Sequence, residues 1–387
     1  MQASTWCDDA HAPQRLRGHK GIVQACARAE SLIRAHLDGS SSELSRIAPR
    51  LVDYRFGRLW QPLPLLDAFH DYDAECFLSA REYVAPTFRE LRNVCNLAQV
   101  RAAVPLRLVT LDGDKTLYPD RTTLQKESPL VALLFQLIER GVVVAMVTAV
   151  GFDSVEPYEA RLEGLLDAIK QAGAPADLCG RLFVVGGQCN YLARCVPGEA
   201  KLQMVPPSEW QLAAMSSWDE KSVVELLDLA GNELLAGAAK LHMRDKVKLV
   251  RKARAVGILY LPDEVHRTTS LMLDEIAMGA RAAVTRLGKT RKRETRLPFC
   301  TFNGGKDVFV DIGSKDLGIA ALQQLVDATP RDTLHIGDQF SITGNDLLAR
   351  RACGTLWVDN PEETAVLLTY MLRMLDHTKG VVRVGRH

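Results

Sequence analysis

The feature that most narrows how this chain can fold is a short apolar run, LRLVTLD at residues 106–112, that leads directly into Gly113-Asp114-Lys115-Thr116. A run of this length, rich in Leu and Val, suits a strand buried on both faces, as in a parallel sheet. The segment SPLVALLFQLIERG at 128–141 then reads as a helix that stops at Gly141, and VVVAMVTA at 142–149 reads as a second buried strand. Strand, loop, helix and strand make one βαβ unit. The same texture returns late in the chain. Strands are expected over DVFVDIG (307–313), TLHIGD (333–338) and GTLWVD (354–359), and a helix over DLGIAALQQLVDA (316–328).

The stretch from about 155 to 300 is more mixed, with helical segments EKSVVELLDLAGNELLAGAAKL and SLMLDEIAMGARAAVTRL. Upstream, GIVQACARAESLIRAHL carries apolar residues at helical spacing, and DGSSSELSRI breaks that pattern before a new helical start. The simplest account is one α/β core, residues 101–154 and 301–387, interrupted by an insertion at 155–300. Residues 1–100 then form a separate helical region. A chain of 387 residues has room for two or three such units.

Charge excludes some classes of partner. With 48 basic and 47 acidic residues the net charge is +1, which gives neither a nucleic-acid footprint nor attraction to anionic membranes. Nine scattered cysteines without a CxxC pair fit reduced thiols in a cytoplasmic setting better than a disulfide framework or a structural zinc site. The first residues lack the apolar core of a secretory signal, and no uncharged apolar stretch reaches the roughly 18 residues of a membrane span.

Chemistry concentrates where strands end. Asp112 and Asp114 follow the first core strand, where open α/β sheets place their ligands. A turn after Asp112 lets the two carboxylates face one cavity from different sides, so that one attacks phosphorus and the other supplies a proton. The same DGDK is also a good polar turn. Thr148 closes the second strand with a hydroxyl that can donate to a phosphoryl oxygen. Lys315 precedes a helix, where an ammonium and backbone donors neutralise an anion. Asp338 ends TLHIGD, with Gly337 permitting a tight turn and Asp346 following, and an acidic loop of that kind suits Mg²⁺. Each feature has an ordinary structural reading, but the four in this order do not.

That order resembles the haloacid dehalogenase superfamily of phosphohydrolases, which implies a doubly wound parallel-sheet core. An aspartate at 114 implies phosphatase or phosphomutase chemistry. Only about 36 residues separate Asp112 from Thr148, whereas some 167 separate Thr148 from Lys315, so the resemblance implies a cap between the second and third motifs. Caps of this kind cover small substrates and exclude water.

The blocks LRLVTLDGDKTLYPD, VTAVGFDSVEPYEARLEGLL, VVGGQCNYL, RKARAVGI, FNGGKDVFVDIGSKDLGI and GDQFSITGNDLLARRACGTLWVDNPEET narrow the match. Together with REYVAPTFRELRNVCNLAQV they are similar to the inosine monophosphate-specific 5′-nucleotidases, over roughly residues 80–370. The resemblance implies Asp112 as nucleophile and Mg²⁺ ligand, Asp114 as proton donor with its carbonyl on the metal, and Asp338 as the remaining ligand. It implies that Thr148 and Lys315 hold the phosphate and that Asp120 and Asp307 contact the nucleoside. A homotetramer, a nucleotide substrate and activation by ATP belong to the same expectation. Lys115 departs from the family, and the N-terminal region is short for it. KTRKRETR at 289–296 reads as a solvated loop, His335 as a core histidine, and Trp210 and Trp218 as cap core. The competing readings are a broader nucleotide or sugar-phosphate phosphatase, a phosphomutase, and a nucleotide-sensing binding protein.

Overall fold

The computed structural model describes residues 19–52, 58–261, 269–290 and 296–384, so most of the basic run at 289–296 lies outside the described residues. The strands are β1 (Leu108–Leu111), β2 (Val143–Val147), β3 (Leu182–Gly186), β4 (Tyr191–Val196), β5 (Lys201–Met204), β6 (Val247–Arg251), β7 (Ala255–Tyr260), β8 (Phe299–Asn303), β9 (Asp307–Ile312), β10 (Thr333–Gly337) and β11 (Gly354–Trp357). The longer helices are α1 (His19–Leu37), α2 (Leu65–Cys76), α3 (Phe88–Ala103), α4 (Pro129–Glu139), α5 (Glu163–Gln171), α6 (Glu220–Lys240), α7 (Ser270–Thr290), α8 (Lys315–Leu325) and α9 (Pro361–Val384).

Seven strands form one sheet in the order β11-β10-β1-β2-β3-β4-β5. The first five run parallel, and β4 and β5 extend the sheet as antiparallel neighbours. Both faces are covered, which explains why the parallel strands read as unbroken apolar runs. Val109, Leu111, Val144 and Met146 pack with residues of α3, α4 and α9, whereas Leu108, Ala145 and Val147 pack with Ile319 and Leu322 of α8. Local chemistry sets the helix starts. Thr87 and Glu90 form a reciprocal capping box before α3, and Ser128 caps α4 with Pro129 in its first turn. Gly141, at φ 92°, lets the chain leave α4 and enter β2.

The second sheet is antiparallel, in the order β6-β7-β9-β8. Helices α6 and α7 cover one of its faces, burying Leu227, Leu234, Ile276, Val308, Val310 and Ile312 in a core of their own. Among the described residues, no helix is long and apolar enough to cross a membrane.

The division at 155 and 300 shifts on both sides. β3, β4 and β5 lie within the stretch assigned to the insertion, yet β3 pairs with β2 and all three belong to the core sheet. Conversely β9, expected in the core, pairs with β7 in the smaller sheet. Period-2 texture marks a strand without saying which sheet it joins. The described residues before 101 do not close on a core of their own either: Ile22, Ile33, Leu65 and Phe69 run continuously into the cluster beneath the large sheet. Trp210, expected in the cap, is buried with Phe183, Val185 and Ile319 on the α8 side of the core sheet.

Arg92 of α3 ties this helical layer to the sheet. It is 7% exposed, donates to Asp359 at 2.6 and 3.1 Å and to Glu363 at 2.6 Å, and lies over the Trp357 ring. Replacing Arg92 with Ala removes one of two arginines paired with the buried Glu363, the other being Arg89 at 2.5 Å, and the expected cost is about 2 kcal/mol of folding stability. A urea titration of the Arg92→Ala protein checks this as a lowered midpoint.

Candidate active site

Three adjacent strands, β10, β1 and β2, deliver Asp338, Asp112 and Thr148 at their carboxyl ends. Chain order reverses around β1, so this is the switch point where helices on opposite faces leave a crevice. Asp112 stays in register with the sheet through a backbone hydrogen bond to Ile336, and Thr148 through one to Val185, both at 2.9 Å. Both side chains are buried, at 7% and 3% exposure, whereas Asp338 is half-buried.

Beneath the crevice lies a chain of buried polar groups. Lys315, the first residue of α8, is fully enclosed, with Nζ 2.8 Å from Asp112 Oδ1 and 2.6 Å from Asp346 Oδ1. The same Asp346 oxygen lies 2.8 Å from His335 Nε2, and Asp346 Oδ2 accepts from the Gln339 amide at 2.9 Å. His335 Nδ1 is 2.9 Å from the hydroxyl of Thr110, its neighbour in the β1–β10 register. Burial holds His335 below its usual range, so the ring is neutral. An ionised Asp346 can only accept, so Nε2 carries the proton and Thr110 donates to Nδ1. Gly337 makes room for this arrangement, since a Cβ there would meet the Asp346 carboxylate.

Burial alone would raise the Asp346 carboxyl, but Lys315 and His335 hold it well below the usual carboxylate range. Burial also works against the Lys315 ammonium, yet Asp112 and Asp346 hold its proton above the ordinary lysine range. The carboxylates nearer solvent behave differently. Burial pushes Asp112 up to about 6 and Asp338 up to about 8, with repulsion from neighbouring carboxylates adding to it in each case. Oxygen atoms of Asp112, Asp338 and Asp346 lie within 4.8 Å of one another. An all-oxygen donor set whose negative charges oppose one another fits a hard divalent cation, which would relieve the repulsion. Asp346 is already committed to Lys315, His335 and Gln339, which leaves Asp112 and Asp338 as the available ligands.

The loop after Asp112 folds back on itself. Leu117 donates to the Gly113 carbonyl at 2.8 Å and Lys115 to the Tyr118 carbonyl at 2.7 Å. Gly113 is required because a Cβ there would strike the Tyr118 hydroxyl. Lys115 sits at φ 58°, in the left-handed region, and its side chain is exposed. The turn continues to Arg121, whose amide donates to Asp114 Oδ1 at 2.8 Å and fixes that carboxylate.

The uncovered face of the smaller sheet closes over this crevice and encloses a cavity of about 350 Å³. Six of the seven residues singled out by the sequence (Asp112, Asp114, Asp120, Thr148, Asp307 and Asp338) line it. Lys315 does not. It stands behind Asp112, so its charge reaches the cavity through that carboxylate. His335, read as a core histidine, is buried as expected but belongs to the polar chain under the site. Sequence reasoning missed the basic lining of Arg121, Arg161, Lys252 and Arg254, which supplies positive charge for an anionic ligand. It also missed Asp311. Asp311 and Asp307 share one alternating face of β9, and that period of two was the available signal.

The family model for IMP-specific 5′-nucleotidases matches residues 11–368 of this chain. IMP-specific 5′-nucleotidase 1 of Eremothecium gossypii is 37% identical over 371 residues, spanning 91% of this chain and 84% of the relative. The Aspergillus fumigatus protein of the same name is 40% identical over 329 residues, spanning 82% and 70%. Among solved structures, the N-terminally truncated, IMP-bound IMP-nucleotidase of Plasmodium falciparum superimposes with a TM-score of 0.79 at 30% identity, covering 91% of this chain and 90% of that one. The ATP-bound Plasmodium falciparum structure gives 0.75 at 30% identity, covering 91% and 80%. The α/β core with its mostly parallel sheet, the carboxylates gathered at its switch point and these matches agree: the chain belongs to the IMP-specific 5′-nucleotidase family.

Proposed function

We propose that this protein hydrolyses inosine 5′-monophosphate to inosine and phosphate through an aspartyl-phosphate. The observation that carries the reading is Asp112 in the wall of a cavity that also presents Arg121, Arg161, Lys252 and Arg254, with one oxygen pinned to a buried ammonium 2.8 Å away. With Oδ1 held by Lys315, Oδ2 is the nucleophile. It attacks phosphorus, the bond from phosphorus to O5′ breaks, and the Asp114 carboxyl gives its proton to the departing oxygen. A water then attacks phosphorus, the bond to Asp112 breaks, and Asp114 takes the proton back from that water. The Arg121 amide on Asp114 Oδ1 holds the carboxyl in one orientation for both transfers.

Thr148 is assigned to a phosphoryl oxygen. Its Oγ1 accepts from the Val150 amide at 3.2 Å, which aligns the hydroxyl and leaves its proton to donate. Lys315 is a positioning residue in this reading, acting through Asp112. Asp120 and Asp307 are assigned to the nucleoside. Asp112, Asp338 and the Asp114 carbonyl would hold Mg²⁺, which supplies charge neutralisation at the phosphoryl group when bound. Activation by ATP and a homotetrameric assembly belong to the same reading, supported by the ATP-bound relative for the first and by family resemblance alone for the second.

Phosphate release from a panel of nucleoside monophosphates and ribose 5-phosphate, with magnesium or with EDTA and with or without ATP, tests this directly. Release concentrated on inosine monophosphate and abolished by EDTA is expected; equal turnover of every nucleotide would sink the substrate assignment. Asp112→Asn is expected to lower kcat by at least roughly a thousandfold while still binding the nucleotide. Turnover surviving in that variant rules out the covalent route. Asp120→Ala and Asp307→Ala each remove a charged hydrogen-bond partner, so KM for inosine monophosphate should rise by roughly 10- to 100-fold with a smaller change in kcat. Steady-state kinetics on the two variants reads the split.

A further inference from the structure

β9 divides its side chains between two surroundings. Val308, Val310 and Ile312 enter the apolar core under α6 and α7, whereas Asp307, Phe309 and Asp311 line the cavity. A strand rise of roughly 3.3 Å per residue sets the two aspartate Cα atoms about 13 Å apart, with an aromatic ring midway. Phe309 pairs across the sheet with Gly257, where any Cβ would run into the ring, so the missing side chain at 257 lets the ring lie against the sheet.

The opposite wall is equally shaped. Gly151, Gly187 and Tyr191 all line the cavity, and a Cβ on either glycine would meet the other glycine's Cα and the Tyr191 ring at 3.0–3.3 Å. Two backbones and a ring therefore pack closely together in this part of the wall. The spacing along β9 suits a nucleoside with its sugar toward Asp307 and its base toward Asp311.

Asp311 carries an unmet requirement. It is 3% exposed, yet its Oδ1 makes no hydrogen bond. Gln188 is fully buried and close enough to Asp311 to favour its charge, but neither its Nε2 nor its Oε1 has a well-aligned partner. Burial dominates and pushes the Asp311 carboxyl up to about 7. Buried polar groups left unpaired in a cavity wall destabilise the empty protein and are satisfied when a ligand supplies the complement.

Building on the proposed function, we infer that Asp311, which lines the cavity, determines specificity for the base: its carboxylate accepts the N1–H of a 6-oxopurine. A 6-aminopurine has no proton at N1 and turns a lone pair toward the carboxylate instead. Sites built to hydrogen-bond a substrate group reject analogues that lack it, because the buried partners are then left unpaired. Guanine shares N1–H and O6 with hypoxanthine, so this contact separates 6-oxo from 6-amino purines and leaves the 2-position to other residues.

The test is kcat/KM of the wild type and Asp311→Asn on inosine monophosphate, adenosine monophosphate and ribose 5-phosphate, the last reporting the phosphate chemistry without a base. An asparagine amide can donate to N1 of adenine, so the preference for inosine over adenosine monophosphate should fall by roughly 10- to 100-fold, mostly through KM. Turnover of ribose 5-phosphate should stay at the wild-type value. An unchanged preference overturns the inference, and so does an equal loss on all three substrates, which would mark Asp311 as a structural support. A wild type with no preference for inosine monophosphate overturns the proposed function itself, an outcome read from the wild-type rows alone.

Discussion

Everything at the reacting end of this molecule rests on one enclosed ammonium. Lys315 has no exposed surface and lies between two carboxylates, Asp112 at 2.8 Å and Asp346 at 2.6 Å. A buried charge is tolerated only when paired and hydrogen-bonded, so the three groups must arrive together or not at all. They come from three places in the chain: the end of β1, the start of α8 and the loop after β10. The pairing therefore fixes how the helix on one face meets the two central strands. His335 and Thr110 complete it, each placed by register on the same side of the sheet. Asp112 is held still by what it is bonded to below, at the wall of the cavity.

That anchor also reaches the cap. Lys315 follows the end of β9 by only three residues, across a turn at Gly313 with φ 87°. Asn190 spans the same junction, donating at 2.7 Å to the carbonyls of both Gly187 and Ile312. The cap's exit strand is thus bolted to the core beside the residues that line the site. The upper carboxylates, Asp112 and Asp338, are poised the opposite way from Asp346. Burial and mutual repulsion outweigh the pull of Lys315 there, so both hold their protons more tightly than free carboxylates do. Charge is satisfied in the lower layer and left wanting in the upper one, where substrate arrives.

Much of this was legible in the sequence because burial on both faces of a parallel sheet writes itself as apolar runs, and chemistry at strand ends follows each run immediately. Asp112, Thr148 and Asp338 were found that way. Lys315 was also found, but its placement was not: a lysine before a helix gives no sign that it will be sealed under a carboxylate rather than open to a phosphate. His335 looked like filler for the same reason, since its partner Asp346 is eleven residues away across a turn. The borders of the cap were hidden because strand texture does not name a partner strand. Asp311 was passed over because a carboxylate inside an apolar run resembles an ordinary solvent-facing alternation.

The alternation of β9 has a consequence for how such a chain can change over time. One strand feeds the hydrophobic core with its even-numbered side chains and the cavity with its odd-numbered ones. A substitution at 307, 309 or 311 alters a single point of the cavity wall and leaves the core whole. Adding or deleting one residue within the strand would instead send Val308 and Val310 into the cavity and both aspartates into the apolar layer under α6 and α7. The strand is open to point replacement and closed to changes of length, so variation in what the pocket recognises must accumulate side chain by side chain.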